Sequence, residues 1–335
     1  MSARRLVILV AAAILALIGG WYFGAGTTPV ERTQATQGTL MFPGLAPNLA
    51  AAAKLEITHQ GKQTIIEKRP NGDGWGVASI HDYPIQASKL RGLLTALTEL
   101  RLAEPRTNNP SEFSRLGVED PNGSAAAGVL LRLTDSTGKP ILELIVGHTR
   151  VRAHGNGPDE VYVRRPGDNQ SWLAEGSLQA DADPAAWLDR NVIDIPHDRI
   201  ASVSVGDGAL TFGKVDGKFA LTKPADHPPL EAYKVDSVAR ALEHLTFTEV
   251  KVEAPGTEAG HAVFTTTDGL AVTVTLFNAD KDVWARFTAS GTPEADKLNA
   301  RLNGWFYQIG AWKEKSLVPT IDDLKAETPA APDKK

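Results

Sequence analysis

Four pairs of alternating or β-branched runs, each closed by a tight-turn signal, constrain this chain more than any other feature. Residues 55–58 and 64–66 flank Gln60-Gly61, and residues 129–133 and 141–146 flank a turn from Asp135 to Gly138. Residues 203–205 and 210–212 flank Asp207-Gly208, and residues 263–267 and 271–277 flank Asp268-Gly269. Asp-Gly supplies the positive φ angles of a two-residue hairpin turn, so each pair is expected to fold back on itself as an antiparallel ribbon.

Helical periodicity interrupts the ribbons. Leu90, Leu93, Leu94, Leu97 and Leu100 fall on one face of a helix expected over residues 87–100. Val235, Val238, Leu242 and Leu245 do the same for residues 232–245. Thr292-Pro293 reads as an N-cap followed by a first-turn proline, opening a third helix whose stripe runs Leu298, Leu302, Trp305, Ile309 and Trp312. Asp183-Pro184 starts a shorter helix carrying Trp187 in the same way.

The first two helices align at an offset of 145. Ala87, Lys89, Ala96, Leu97, Leu100 and Glu104 recur as Ala232, Lys234, Ala241, Leu242, Leu245 and Glu249. A second match, at offset 125, sets Ala186-Trp187 against Ala311-Trp312. The element order therefore runs twice, with a boundary near Ile195-Pro196. The expected fold class is α+β: an N-terminal transmembrane helix followed by two tandem hairpin–helix–hairpin–helix units with mainly antiparallel sheets. The expected divisions are an anchor over 1–24, a tether over 25–50, repeats over 51–196 and 197–325, and a disordered tail over 326–335.

The anchor rests on the run from Leu6 to Phe23, which carries no charge. As a helix it would span about 27 Å, close to the ~30 Å hydrocarbon core. Arg4 and Arg5 precede it, and the next charges are Glu31 and Arg32. The positive-inside rule then places the N-terminus in the cytoplasm and the body in the periplasm, with Trp21 and Tyr22 at the outer headgroups. The expectation is a single-pass protein of a bacterial inner membrane, with a cleaved signal peptide as the rival. The whole chain has 35 basic against 40 acidic residues, net −5, and the body without Arg4 and Arg5 is more acidic still. That balance argues against nucleic acid, which needs a basic face. The chain has no cysteine, which excludes disulfides, thiolate metal sites and cysteine nucleophiles.

No catalytic, cofactor or metal site emerges. The eight histidines show no pair at the i, i+4 spacing of a helical metal site. His81-Asp82 and His197-Asp198 each set a base beside a carboxylate, but in turn-like sequence. Asp181, Asp183 and Asp189 form the densest carboxylate cluster, with Asp183 read as a cap before Pro184. Gly72, Gly74 and Gly76, and Gly155 with Gly157, lack the Lys-Ser/Thr of a phosphate loop. Most tryptophans sit on apolar stripes and read as core.

The Trp75 strand, the Pro84-Ile85-Gln86-Ala87 helix entry and the turn from Phe113 through Leu116-Gly117 to Pro121 form a combined signature. The hairpin ending Ile145-Val146-Gly147 and the strand Val161-Tyr162-Val163 complete it. This signature resembles a bacterial family catalogued as a domain of unknown function, number 4340. The resemblance implies a membrane-anchored partner of ABC-type transport systems, including those grouped with gliding-motility auxiliary proteins. The expected function is a non-enzymatic accessory subunit of such a transport or envelope assembly, binding a partner protein or an exported polymer. The expected partners are the inner membrane and ABC-type transporter subunits, without cofactor or metal. The alternative from another class is an envelope hydrolase or glycan-binding enzyme using the Asp181/Asp183 region.

Overall fold

The structure is a computed structural model and describes residues 38–70, 74–150 and 159–326. The first half contributes β1 (Ala52–His59), β2 (Lys62–Lys68), β3 (Trp75–Val77), β4 (Tyr83–Pro84), β5 (Arg101–Pro105), β6 (Val129–Asp135), β7 (Pro140–Arg150), β8 (Glu160–Arg164) and β9 (Ser171–Glu175). They form one antiparallel sheet in the order β4-β3-β2-β1-β6-β7-β8-β9-β5. After β10 (Asn191–Ile193) come β11 (Ile200–Val205), β12 (Leu210–Val215), β13 (Lys218–Lys223), β14 (Leu245–Thr246), β15 (Glu249–Lys251), β16 (Thr257–Thr266), β17 (Ala271–Ala279), β18 (Asp282–Ser290) and β19 (Phe306–Ile309). Eight of these form a second sheet in the order β13-β12-β11-β16-β17-β18-β19-β15. β10 and β14 pair as a small third sheet that joins the halves.

This corrects the expected fold class. The described residues form three sheets, mostly antiparallel, with few helices, rather than hairpin–helix–hairpin–helix units. Among them no helix is long and apolar enough to cross a membrane, and the run from Leu6 to Phe23 lies outside the described residues. The physical reason lies in where helical stripes stop. The Ala87–Glu99 helix forms as the leucine spacing requires, burying Leu90, Leu93 and Leu97. The second helix covers only Ala232–Ala239, because the chain turns through His244 at φ 46 and delivers Leu245 to β14. The third stops at Leu302, Gly304 takes φ 86, and the chain continues as β19 beside β18, which takes Ile309, while Trp312 falls in a 3-10 turn. The Trp187 segment is one 3-10 turn, Pro184–Trp187.

Residues 38–50, read in the sequence as tether, lie on the first sheet. Gly38 N–H donates to Leu102 O at 2.6 Å, Met41 N–H donates to Leu100 O at 2.8 Å, and the Met41 side chain is buried.

The second sheet repeats the strand order of the first, with β4 as an extra edge strand in the first. Each half also ends on the same clasp. Gln86 N–H donates to Trp187 O (2.8 Å) and Asp189 N–H to Pro84 O (3.0 Å), around an Ile85–Leu188 bridge. Glu231 N–H donates to Leu324 O (3.0 Å) and Ala326 N–H to Pro229 O (3.1 Å), around a Leu230–Lys325 bridge. The counterpart of Trp187 is therefore Leu324, at offset 137, and not Trp312. The offset-125 match is coincidence: Trp187 is fully buried and Trp312 is 72% exposed.

One apolar core runs through both halves. At the joint, the Tyr83 ring meets Phe247, Trp305 and Tyr307 edge-on, at 5.3, 5.0 and 6.3 Å between centroids. Burial pushes the Tyr83 hydroxyl up to about 12 and raises that of Tyr307 as well, because phenolate is disfavoured away from water.

Candidate functional site

The carboxylates singled out in the sequence are engaged in holding the chain. The Asp183 carboxylate accepts from Ala185 N–H at 2.9 Å and caps the 3-10 turn. Asp181 accepts from Asp183 N–H (3.0 Å) and faces Lys89 Nζ at 3.5 Å. Lys89 also donates to Ala186 O (2.9 Å) and lies over the Trp187 ring, whose Nε1–H donates to Asp181 O (2.8 Å). Asp189 accepts from Asn191 N–H. These contacts pin Trp187 against the leucine helix; they do not point two carboxylates at one reacting atom.

The histidines are dispersed. His197 Nδ1 lies 2.6 Å from Glu243 Oε1, and its Nε2 faces Arg240 Nη2 at 2.9 Å, so both ring nitrogens are occupied. His197 and Arg240 also hold the Glu243 carboxyl below its usual range against the opposing effect of burial. His81 and Asp82 sit in a left-handed turn. His59 bonds Gly128 O, His227 bonds Pro228 O, and His244 pairs with Asp194. His154, Gly72, Gly155 and Gly157 lie outside the described residues. Among the described residues no three His, Asp or Glu side chains are grouped to hold a metal ion.

One concave feature of the described surface is a groove of about 850 Å³ on the second half. One wall is the β11–β12 turn and the start of β16: Gly206, Ala209, Ala259, Gly260 and His261. The other wall is the segment after β19, through Glu314, Val318 and Ile321. Val205, Leu210 and Leu276 form an apolar floor and are all buried. The far wall is fixed by a capping box, in which Thr320 Oγ1 accepts from Asp323 N–H and Asp323 accepts from Thr320. His261 Nε2 sits 3.0 Å from Asp207 Oδ1, and Asn278 donates to Glu314 at 3.2 Å. Sequence reasoning missed this site because it contains no motif. Its one legible trace was Gly260 inside a strand run, a residue type that often marks a bulge or close approach of another backbone.

Beside the groove, the same segment exposes aromatic surface. Trp312 is 72% exposed with Lys313 Nζ 4.9 Å from its ring, and Tyr233 on the helix packed against residues 314–317 is 67% exposed.

A family model described as domain of unknown function (DUF4340) matches residues 75–261, more than half of the chain. The chain belongs to this family. No curated protein and no solved structure matched it. The DUF4340 match runs from β3 into β16 and so takes in the β10–β14 pair between the halves. It also contains the turn over residues 113–121, whose role is structural. Arg164, nearly fully buried, stacks on Phe113 at 4.5 Å and donates to Val118 O (2.7 Å), Asp168 O (3.1 Å) and Asp120 Oδ1 (2.6 Å). Gly147 is required beneath it, because a Cβ there would lie 2.3 Å from Leu116 O.

Proposed function

We propose that this DUF4340 protein is a non-enzymatic accessory subunit of an ABC-type transport or cell-envelope system, binding a partner protein through the second half. The observation that carries the reading is the pair of exposed aromatics: Tyr233, on the helix packed against residues 314–317, and Trp312, in the turn just before those residues. Large aromatic side chains left in water lose solvation cost when a partner covers them, and such residues dominate interface energetics. The uncharged run from Leu6 to Phe23 supports placement at the bacterial inner membrane with the body on the periplasmic side. Attachment there would raise the effective concentration of the body toward other membrane proteins.

Crosslinking in native membranes followed by mass spectrometry tests this. The expected products join the chain to ABC-type transporter subunits, and Tyr233→Ala with Trp312→Ala removes them without lowering the melting temperature. Asp181→Ala should leave cellular function intact. Loss of function in folded, abundant Asp181→Ala protein would favour an enzyme, and crosslinks that ignore the aromatic pair would end the accessory reading.

A further inference from the structure

The first sheet has a strand that the second lacks. β4 closes the outer edge of β3, pairing Tyr83 with Val77 and Pro84 with Gly76. The residues on either side of β4 add two bonds, from Asp82 N–H to Val77 O and from Ile85 N–H to Trp75 O, both at 3.1 Å. In the second sheet the counterpart of β3 is β13, with Phe219, Ala220 and Leu221 in the places of Trp75, Gly76 and Val77. β13 ends the strand order, and among the described residues no backbone hydrogen bond joins it to anything but β12.

Two differences in sequence account for the missing strand. A Cβ at Gly76 would strike the Asp82 carbonyl, and the second half carries that Cβ, at Ala220. The clasp sets Pro229 against Pro84, so His227 stands in the place of Asp82. Asp82 turns the chain back at φ 58, whereas His227 precedes Pro228, which pushes it toward extended backbone. Burial follows: Tyr83 and Ile85 are buried, but Pro228 and Leu230 are half-buried and Pro229 is exposed.

The open edge has a defined polarity. Asp216 and Gly217 take φ 48 and 76 and join β12 to β13 as a two-residue hairpin. Val215 and Lys218 therefore close the ladder with their bonds turned inward, and alternation turns the N–H and C=O groups of Phe219 and Leu221 outward. The carbonyls of Trp75 and Val77 face outward in the same way, where Ile85 and Asp82 meet them. A row of unpaired backbone groups is a template for another strand.

This edge is complementary to itself. Antiparallel pairing about Ala220 sets Phe219 against Leu221 of the second copy, and the reverse, as two hydrogen-bonded pairs. Lys218 then lies opposite Thr222 of the second copy, and Lys223 reaches the turn that carries Asp216 of the second copy. No two lysines face each other. Lys218, Lys223 and Asp216 are exposed, and none has a side-chain partner among the described residues. The register shift between Thr211 and Phe212 ends the regular edge after Leu221 and keeps the pairing short. We propose that β13 pairs with β13 of a second copy, antiparallel about Ala220, so that the second-half sheets of two chains become one sheet across a twofold axis.

The chain has no cysteine, so one introduced cysteine reports only contact between copies. Ala220→Cys would lie on the axis, with opposed Cα atoms about 4.5 Å apart in a non-hydrogen-bonded pair, close enough for a disulfide. Lys218→Cys, on the same edge, would lie about 13 Å from its copy, four residues of strand away. Mild oxidation of the full chain in native membranes is expected to join Ala220→Cys chains at least about tenfold more than Lys218→Cys chains, because the second separation is beyond disulfide reach. Asp216→Asn in the Ala220→Cys chain should lower the yield at an unchanged melting temperature. Equal trapping at 218 and 220, or none at 220 in folded protein, overturns the proposal. A photoreactive side chain at position 220 that labels another protein and no second copy overturns it as well. Transporter crosslinks through Tyr233 and Trp312 test the accessory role separately and stand or fall without this pairing.

Discussion

Replacing Arg164 by alanine probes the turn that carries the family signature. The guanidinium is nearly fully buried and, besides donating to Asp168 O, does three separable things. It satisfies Val118 O, a carbonyl on a residue with no solvent exposure; leaving a buried acceptor without a donor costs about 1–3 kcal/mol. It stacks on Phe113, which is worth about 1 kcal/mol when partly desolvated. It pairs with Asp120, but that carboxylate is 63% exposed and returns to water, so the ion pair adds only about 0–1 kcal/mol. The expected loss for Arg164→Ala is therefore about 3–4 kcal/mol, against less than about 1 kcal/mol for Asp120→Ala. Arg164→Lys should fall between, because an ammonium cannot fork to Val118, Asp168 and Asp120 together. Urea unfolding followed by tryptophan fluorescence and circular dichroism reads all three. Equal losses for Arg164→Ala and Asp120→Ala would refute the reasoning, since the ion pair rather than the buried carbonyl would then hold the turn.

The remaining predictions concern other parts of the same architecture. Gly147→Ala should destabilise by about 1–3 kcal/mol in the same unfolding assay, because its Cβ meets the Leu116 carbonyl and the Val118 side chain and the turn must move. Trp187→Ala should cost about 3–5 kcal/mol, whereas Trp312→Ala should change stability by less than about 0.5 kcal/mol, a contrast that calorimetric melting can rank. Tyr83 titrates higher folded, at about 12, than unfolded, near 10, so its contribution is complete below pH 10 and is lost as pH rises toward 12. Unfolding at pH 9 and pH 11.5 should show that loss, and Tyr83→Phe should lessen it.

Hairpins were legible because the information sits within a few residues: Asp-Gly at 207–208 and 268–269 fixes a turn, and the flanking alternation fixes the faces. The leucine helix was legible for the same reason. What was not legible depended on distant partners. Trp305, Ile309 and Trp312 fit a helical stripe on paper, yet Gly304 ends it and β18 recruits Phe306–Ile309 as a strand, a tertiary choice that local spacing cannot encode. The Trp187–Leu324 equivalence is carried by main-chain hydrogen bonds, so side-chain matching pointed to Trp312 instead. The carboxylates at Asp181, Asp183 and Asp189 looked like chemistry because a cluster in sequence cannot show that a helix lysine and three backbone N–H groups already claim it. The groove escaped notice for the opposite reason: its residues lie far apart in the chain and are brought together only by sheet order and a returning segment.

The ring of aromatic contacts around Tyr83 has a mechanical consequence. Three rings meet it from the other half at steep angles, 76°, 82° and 74° between planes, so a twist in any direction drives an edge into a face. Halves joined through a polar seam swing about a soft axis, whereas this joint is largely apolar and continuous with the core. The two sheets then behave as one strut. Bending one sheet against the other would have to pull apart this ring cluster and expose part of the shared core.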